Sequence, residues 1–154
     1  MVVIGGNLGY AMTLRWILLL VLLSCTFPLL AEERPFEADI KVVLQVSDND
    51  PALFQRVLTN TVNVIKAYGM DGVQVEIVAY AGGVWMLTDQ AGLADRIQGL
   101  RLQYVQFSAC GFTLSSIEQE QGKPPKLVDG VNVVPYGLPH IIDLEKKGYV
   151  YVRP

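Results

Sequence analysis

The chain predicts a single three-layer, flavodoxin-like α/β domain with a five-stranded, mainly parallel sheet, preceded by an export signal. Three observations carry this. β-Branched runs alternate with segments of helical period from residue 40 to the end. No domain-length linker or internal repeat interrupts 154 residues, a length that suits one core. The segment before residue 40 has a targeting layout instead of a folding pattern.

The first segment explains much of the high mean hydropathy of +0.34. Arg15 precedes the unbroken apolar run Trp16–Leu23, and no further charge occurs until Glu32. The run is shorter than the roughly 20 residues that span a bilayer. With helix-breaking Pro28 and small Ala31 after it, residues 1–31 read as a signal peptide cleaved after Ala31. Met12-Thr13-Leu14-Arg15 makes a compact n-region by itself, so Met12 is a candidate start. Val3-Ile4-Gly5-Gly6-Asn7-Leu8-Gly9 has the glycines of a nucleotide loop but lacks the βα unit that would use them. Cys25, at the end of Leu22-Leu23-Ser24-Cys25, offers a second outcome: lipidation, and with it membrane attachment. Residues 32–39 are a charged lead-in, expected to be flexible, and 40–154 form the domain.

Within the domain, Ile40–Val46 has the density of a buried strand. Asp50 then caps a helix whose first position is Pro51, and Phe54, Val57, Leu58, Thr61, Val62, Ile65 and Tyr68 recur on one stripe up to Gly69. Val73–Ala79 is the second strand. Its apolar positions 73, 75 and 77 alternate with Gln74 and Glu76, which suggests a partly exposed edge. Ala81-Gly82-Gly83 reads as a turn, and Leu93, Ile97 and Leu100 mark a helix ending near Arg101. Tyr104–Ala109 is the third strand, running directly into a helix from Cys110 to about Gln119. Pro124-Pro125 forces a loop. Val131–Val134, a helix over Leu138–Lys147, and Tyr149–Val152 complete a β-α-β-α-β-α-β-α-β series. Such alternation implies a parallel sheet with helices on both faces, for which the commonest five-stranded order is 2-1-3-4-5.

Charge and cysteine content narrow the function. The net charge of −3 becomes −4 when Arg15 leaves with the leader. No basic stripe exists to neutralise phosphates, so nucleic acid is not an expected partner. Of the two cysteines, Cys25 departs with the leader, leaving Cys110 without an internal disulfide partner. In the 2-1-3-4-5 order the ligand crevice lies beyond the C-terminal ends of strands one and three. Ser47-Asp48-Asn49 and Ala109-Cys110-Gly111 meet there. Cys110 at a helix N terminus is placed to favour a thiolate, Gly111 leaves approach open, and a nearby Asp48 would oppose a second negative charge. An unpaired cysteine is also often a small buried hydrophobe, so position alone leaves both readings standing.

Four segments carry a resemblance that spans the domain in order. They are Lys41-Val42-Val43-Leu44-Gln45-Val46-Ser47-Asp48, Val78-Ala79-Tyr80-Ala81-Gly82-Gly83-Val84-Trp85-Met86-Leu87, Phe107-Ser108-Ala109-Cys110-Gly111-Phe112-Thr113-Leu114 and the ending Lys147-Gly148-Tyr149-Val150-Tyr151-Val152-Arg153-Pro154. Together they resemble the DsrE/DsrF-like family of sulfur-relay proteins. The resemblance implies a flavodoxin-like fold, assembly as a homotrimer or homohexamer, and a cysteine after the third strand that accepts sulfane sulfur as a persulfide. Cys110 holds that place, with Ser47, Asp48, Gly82, Gly83, Ala109, Gly111 and Thr113 expected to line the pocket around it. The implied activity is that of a sulfurtransferase-like carrier or thiol-redox protein without a cofactor. Its partners would be a small sulfur species or a sulfur-donor or acceptor protein. Two features depart from the family: the chain carries an export signal, which places it in the periplasm or otherwise outside, and Phe112 fills a slot where a polar residue is expected. The rival expectation is a non-catalytic binding or assembly module in which Cys110 packs structurally.

The remaining candidates have simpler explanations. His140, the single histidine, follows Pro139 at a helix start and reads as a surface or interface residue. Without other histidines or a cysteine cluster no zinc site is expected. Asp48-Asn49-Asp50 is explained by turn and cap formation. Trp85 and Met86 would either roof the crevice or bury against a neighbouring subunit.

Overall fold

The computed structural model describes residues 38–154. The signal peptide over 1–31, the alternative start at Met12, the lipidation site at Cys25 and most of the lead-in lie outside the described residues. None of the described helices is long and apolar enough to cross a membrane.

Five strands form one sheet: β1 (Ile40–Val46), β2 (Val73–Ala79), β3 (Gln106–Cys110), β4 (Asn132–Val134) and β5 (Val150–Val152). Every pairing is parallel. The order is β4-β3-β2-β1-β5, which corrects the expected 2-1-3-4-5. β2 is therefore interior. Gln74 and Glu76 do not mark an open edge, because both belong to one sheet face, which is polar over β2 and β3. The real edges are β4 and β5, each three residues long, the short form that limits edge-to-edge pairing.

Register sets which residues share a face. Val42 pairs with Val75, Leu44 with Ile77, and Ile77 with Phe107, so these side chains all enter the first face. Helix α1 (Pro51–Tyr68) covers it with Leu53, Phe54, Val57, Leu58 and Ile65. Ile97 and Leu100 of α2 (Ala94–Arg101) complete the main core, and Leu114 of α3 (Gly111–Gln121) packs on its margin. Full burial of each such side chain contributes about 1.5–3 kcal/mol, so this face dominates the stability. The second face is covered by α4 (Gly137–Lys146), whose Ile141 and Leu144 meet Val43, Val78 and Tyr149. The three-layer architecture is thus present but unequal.

The local punctuation follows the sequence. Asp50 accepts the Ala52 N–H at 2.8 Å, Pro51 opens α1, and Gly69 closes it at φ +80° with its N–H on the Ile65 carbonyl. Within the stripe, Tyr68 is more than half exposed, because it sits on the last turn beyond the sheet. Several boundaries shift by a residue or two, and two of the differences bear on the site. Tyr104 takes a left-handed φ of +64° and ends a turn, so β3 starts at Gln106 and includes Cys110. Ala81-Gly82-Gly83, expected as a turn, opens a 3₁₀ segment over Ala81–Leu87 that sends Val84, Met86 and Leu87 into the core. Gly83 is required there: a Cβ would lie 2.1 Å from the Val46 carbonyl oxygen.

Candidate functional site

β3 ends with Cys110 on the second face, since Ala109 pairs with Ala79 on the first and successive side chains alternate. The chain then turns into α3, with Cys110 at its N-cap position. Burial on its own pushes the thiol up. The Thr113 hydroxyl and the N–H groups of Thr113, Gly137 and Phe112, all donating to sulfur, outweigh it and hold the thiol below its ordinary value. The Phe112 N–H is shared with the Pro135 carbonyl at 3.1 Å and acts least. The Thr113 oxygen accepts the Ala81 N–H at 3.1 Å, which leaves its own proton directed to the thiol.

Gly137 matters because it belongs to a different helix. A Cβ on Gly137 would lie 3.3 Å from the Cys110 Cβ and 2.8 Å from the Tyr80 Cβ. Glycine alone lets the N terminus of α4 close on the sulfur, so the thiol sits between the positive ends of α3 and α4. Cys110 is only 5% exposed, and the donors of Thr113, Gly137 and Phe112 surround it together with Tyr80 and Val134, its register partner on β4. Phe112, two residues after Cys110, and Tyr136, the residue before Gly137, are both exposed, with ring centroids 6.0 Å apart.

The predicted pocket residues divide into two groups. Thr113 and Gly111 adjoin the thiol directly, and a Cβ on Gly111 would meet the Val134 carbonyl at 3.2 Å. Ala109 is fully buried and faces the main core instead. The expected crevice between β1 and β3 does not exist in that form, because β2 separates them. The 3₁₀ segment bridges the gap: Gly82 and Gly83 press on Asn49 and Val46 at the end of β1, while Ala81 bonds Thr113. Ser47 donates to Asp48 at 3.2 Å, and Asp48 faces Arg153 at 4.0 Å, an exposed pair worth little in stability. Both bear on Tyr80, which is pushed up by burial, by Tyr151 and by Asp48, against the opposing pull of Arg153. Met86 is buried in the core, not over a crevice. Among the described residues no group of three or more His, Cys, Asp or Glu could hold a metal.

A second polar cluster lies farther along the same face and was not anticipated. Glu76 is 3% exposed, and its Oε1 receives the Ser108 hydroxyl at 2.6 Å and lies 2.6 Å from His140 Nε2. Tyr149 is pushed up to about 12 by burial and by the Glu76 carboxylate. With Lys41, Gln74, Gln106 and Asn132 these residues line an open recess of about 520 Å³. The available signal was Glu76 itself, the single charged residue of its strand.

No family model and no curated protein matches the chain. Solved structures similar to the chain include two proteins of unknown function. BT1422, a conserved protein of unknown function from Bacteroides thetaiotaomicron, is 18% identical with a TM-score of 0.50, over 75% of this chain and 95% of that one, and shows the shared fold alone. The protein of unknown function MTH1491 from Methanobacterium thermoautotrophicum is 30% identical with a TM-score of 0.67, over 75% of this chain and all of that one. At that identity and full coverage, the chain belongs to the same family as MTH1491.

Proposed function

We propose that this protein is an exported sulfur handler of the DsrE/DsrF-like type in which Cys110 accepts sulfane sulfur as a persulfide. The observation that carries the reading is the convergence of two helix N termini and the Thr113 hydroxyl on one sulfur atom. The chemistry is redox-neutral exchange. The Cys110 thiolate attacks the outer sulfur of a polysulfide or persulfide donor, and the donor's S–S bond breaks. The donor's inner sulfur leaves as a thiolate with the electron pair and takes a proton from water. Cys110 then carries the extra sulfur until an acceptor thiolate attacks it and Cys110 departs as thiolate. The donors around the site stabilise the charge both before and after transfer.

With 5% exposure the thiol suits a small donor entering past Phe112 and Tyr136. Those rings, with exposed Val133 and Leu138 nearby in sequence, support assembly as a homotrimer or homohexamer around the sites. The leader over 1–31 supports a periplasmic or otherwise exported location. The same low exposure favours a second reading, an assembly module with a structural cysteine. Intact mass after treatment with polysulfide separates the two. A gain of one or more sulfur atoms, reversed by a reductant and lost in Cys110→Ser, supports the carrier. No gain in the folded protein sinks it.

A further inference from the structure

Cys110 draws one of its donors from α4, a helix remote in sequence, and something must hold that helix end in place. The N-terminal turn of α4 contains both Gly137, whose N–H reaches the sulfur, and His140, whose ring reaches Glu76 at 2.6 Å. Glu76 also receives Ser108, two residues before Cys110 on the same face of β3, at 2.6 Å. One buried carboxylate oxygen therefore ties the strand bearing the thiol to the helix bearing its donor. We propose that Glu76 and His140 form a positioning clamp that seats the N terminus of α4 against Cys110, and that the reactivity of the thiol depends on it.

Three further observations agree. Glu76 is on β2, the strand between β1 and β3, so the anchor is set in the middle of the sheet. A carboxylate at 3% exposure is costly unless compensated, and Ser108 and His140 both meet the Glu76 Oε1 at 2.6 Å. The first buried apolar side chain of α4 is Ile141, so within the turn that meets the thiol His140 is the side chain that reaches a buried polar partner. Neither Glu76 nor His140 is a donor to the sulfur, so both act through Gly137 and not on the reacting atoms.

The proposal rests on the reading of Cys110 as a working thiol, but its test uses no sulfur donor. The experiment takes the full chain with Cys25→Ser, so that Cys110 is the single thiol. It follows the pH dependence of thiolate absorbance and of alkylation by iodoacetamide. His140→Leu, which removes the ring contact, is expected to move the titration to higher pH and to slow alkylation at neutral pH about five-fold. His140→Gln, which keeps a donor for the carboxylate, is expected to recover most of that loss. If His140→Leu does not fold, His140→Asn, too short to span to Glu76, carries the same comparison. Gly137→Ala moves the helix end directly and is expected to produce the same shift. A titration unchanged in the folded His140 variants, or changed by Gly137→Ala alone, overturns the clamp. A shifted titration with no sulfur uptake by the parent protein upholds the clamp and sinks sulfur transfer instead.

Discussion

Replacing Tyr149 by Phe alters how stability responds to alkaline pH, by an amount that follows from its surroundings. The phenol is at 9% exposure, and burial followed by the Glu76 carboxylate pushes it from 10.0 to about 12. A group raised on folding contributes stability that is complete below its unfolded value and lost as pH climbs to the folded one. The native protein therefore holds this proton while the unfolded chain releases it. Between about pH 9 and pH 11 that difference amounts to on the order of 1 kcal/mol, and to about 2 kcal/mol near pH 12. Other tyrosines and lysines titrate in the same window, but they do so in both proteins and cancel in the difference. Urea unfolding followed by circular dichroism at the two pH values gives the comparison. Wild type is expected to lose about 1 kcal/mol more than Tyr149→Phe on going from about pH 9 to pH 11. Equal losses in the two proteins would refute the burial of the Tyr149 phenol beside the Glu76 carboxylate.

Three other outcomes are expected. Thr113→Val deletes the hydroxyl that donates to Cys110 and accepts from Ala81; loss of a hydrogen bond to a charged group, about 1.5–3 kcal/mol, partly offset by greater intrinsic nucleophilicity, slows alkylation at neutral pH about 3- to 10-fold. Gly83→Ala drives a Cβ to within 2.1 Å of the Val46 carbonyl and is expected to cost about 3 kcal/mol in urea unfolding, since the obstacle is backbone and cannot rotate away. Asp50→Ala removes the cap of α1 and is expected to cost about 1 kcal/mol, with no effect on the thiol.

Much of the fold was legible because local chemistry decided it. Asp50-Pro51 and Gly69 bounded α1 correctly, and the position of Cys110 at the strand-to-helix turn after β3 followed from the apolar run before it. Strand order was not legible. The alternation in β2 is the same whether its polar side chains face solvent at an edge or share a thinly covered face, and only long-range pairing distinguishes the two. The choice of an edge for β2 then displaced the crevice, although the Ala81–Leu87 segment still links the β1 loop to Thr113. Gly137 and His140 were missed as site residues because their roles depend on where α4 lands. A glycine at a helix start and a lone histidine carry no signal of that contact by themselves.

The account depends on a thiol that is both activated and reachable at 5% exposure. The most direct measurement is the rate of iodoacetamide alkylation of Cys110 at neutral pH, in the folded Cys25→Ser chain and in the same chain unfolded by urea. Faster reaction in the folded state is expected, because the Thr113 and Gly137 donors exist only there. A thiol that is inert when folded and reacts only after unfolding would contradict it.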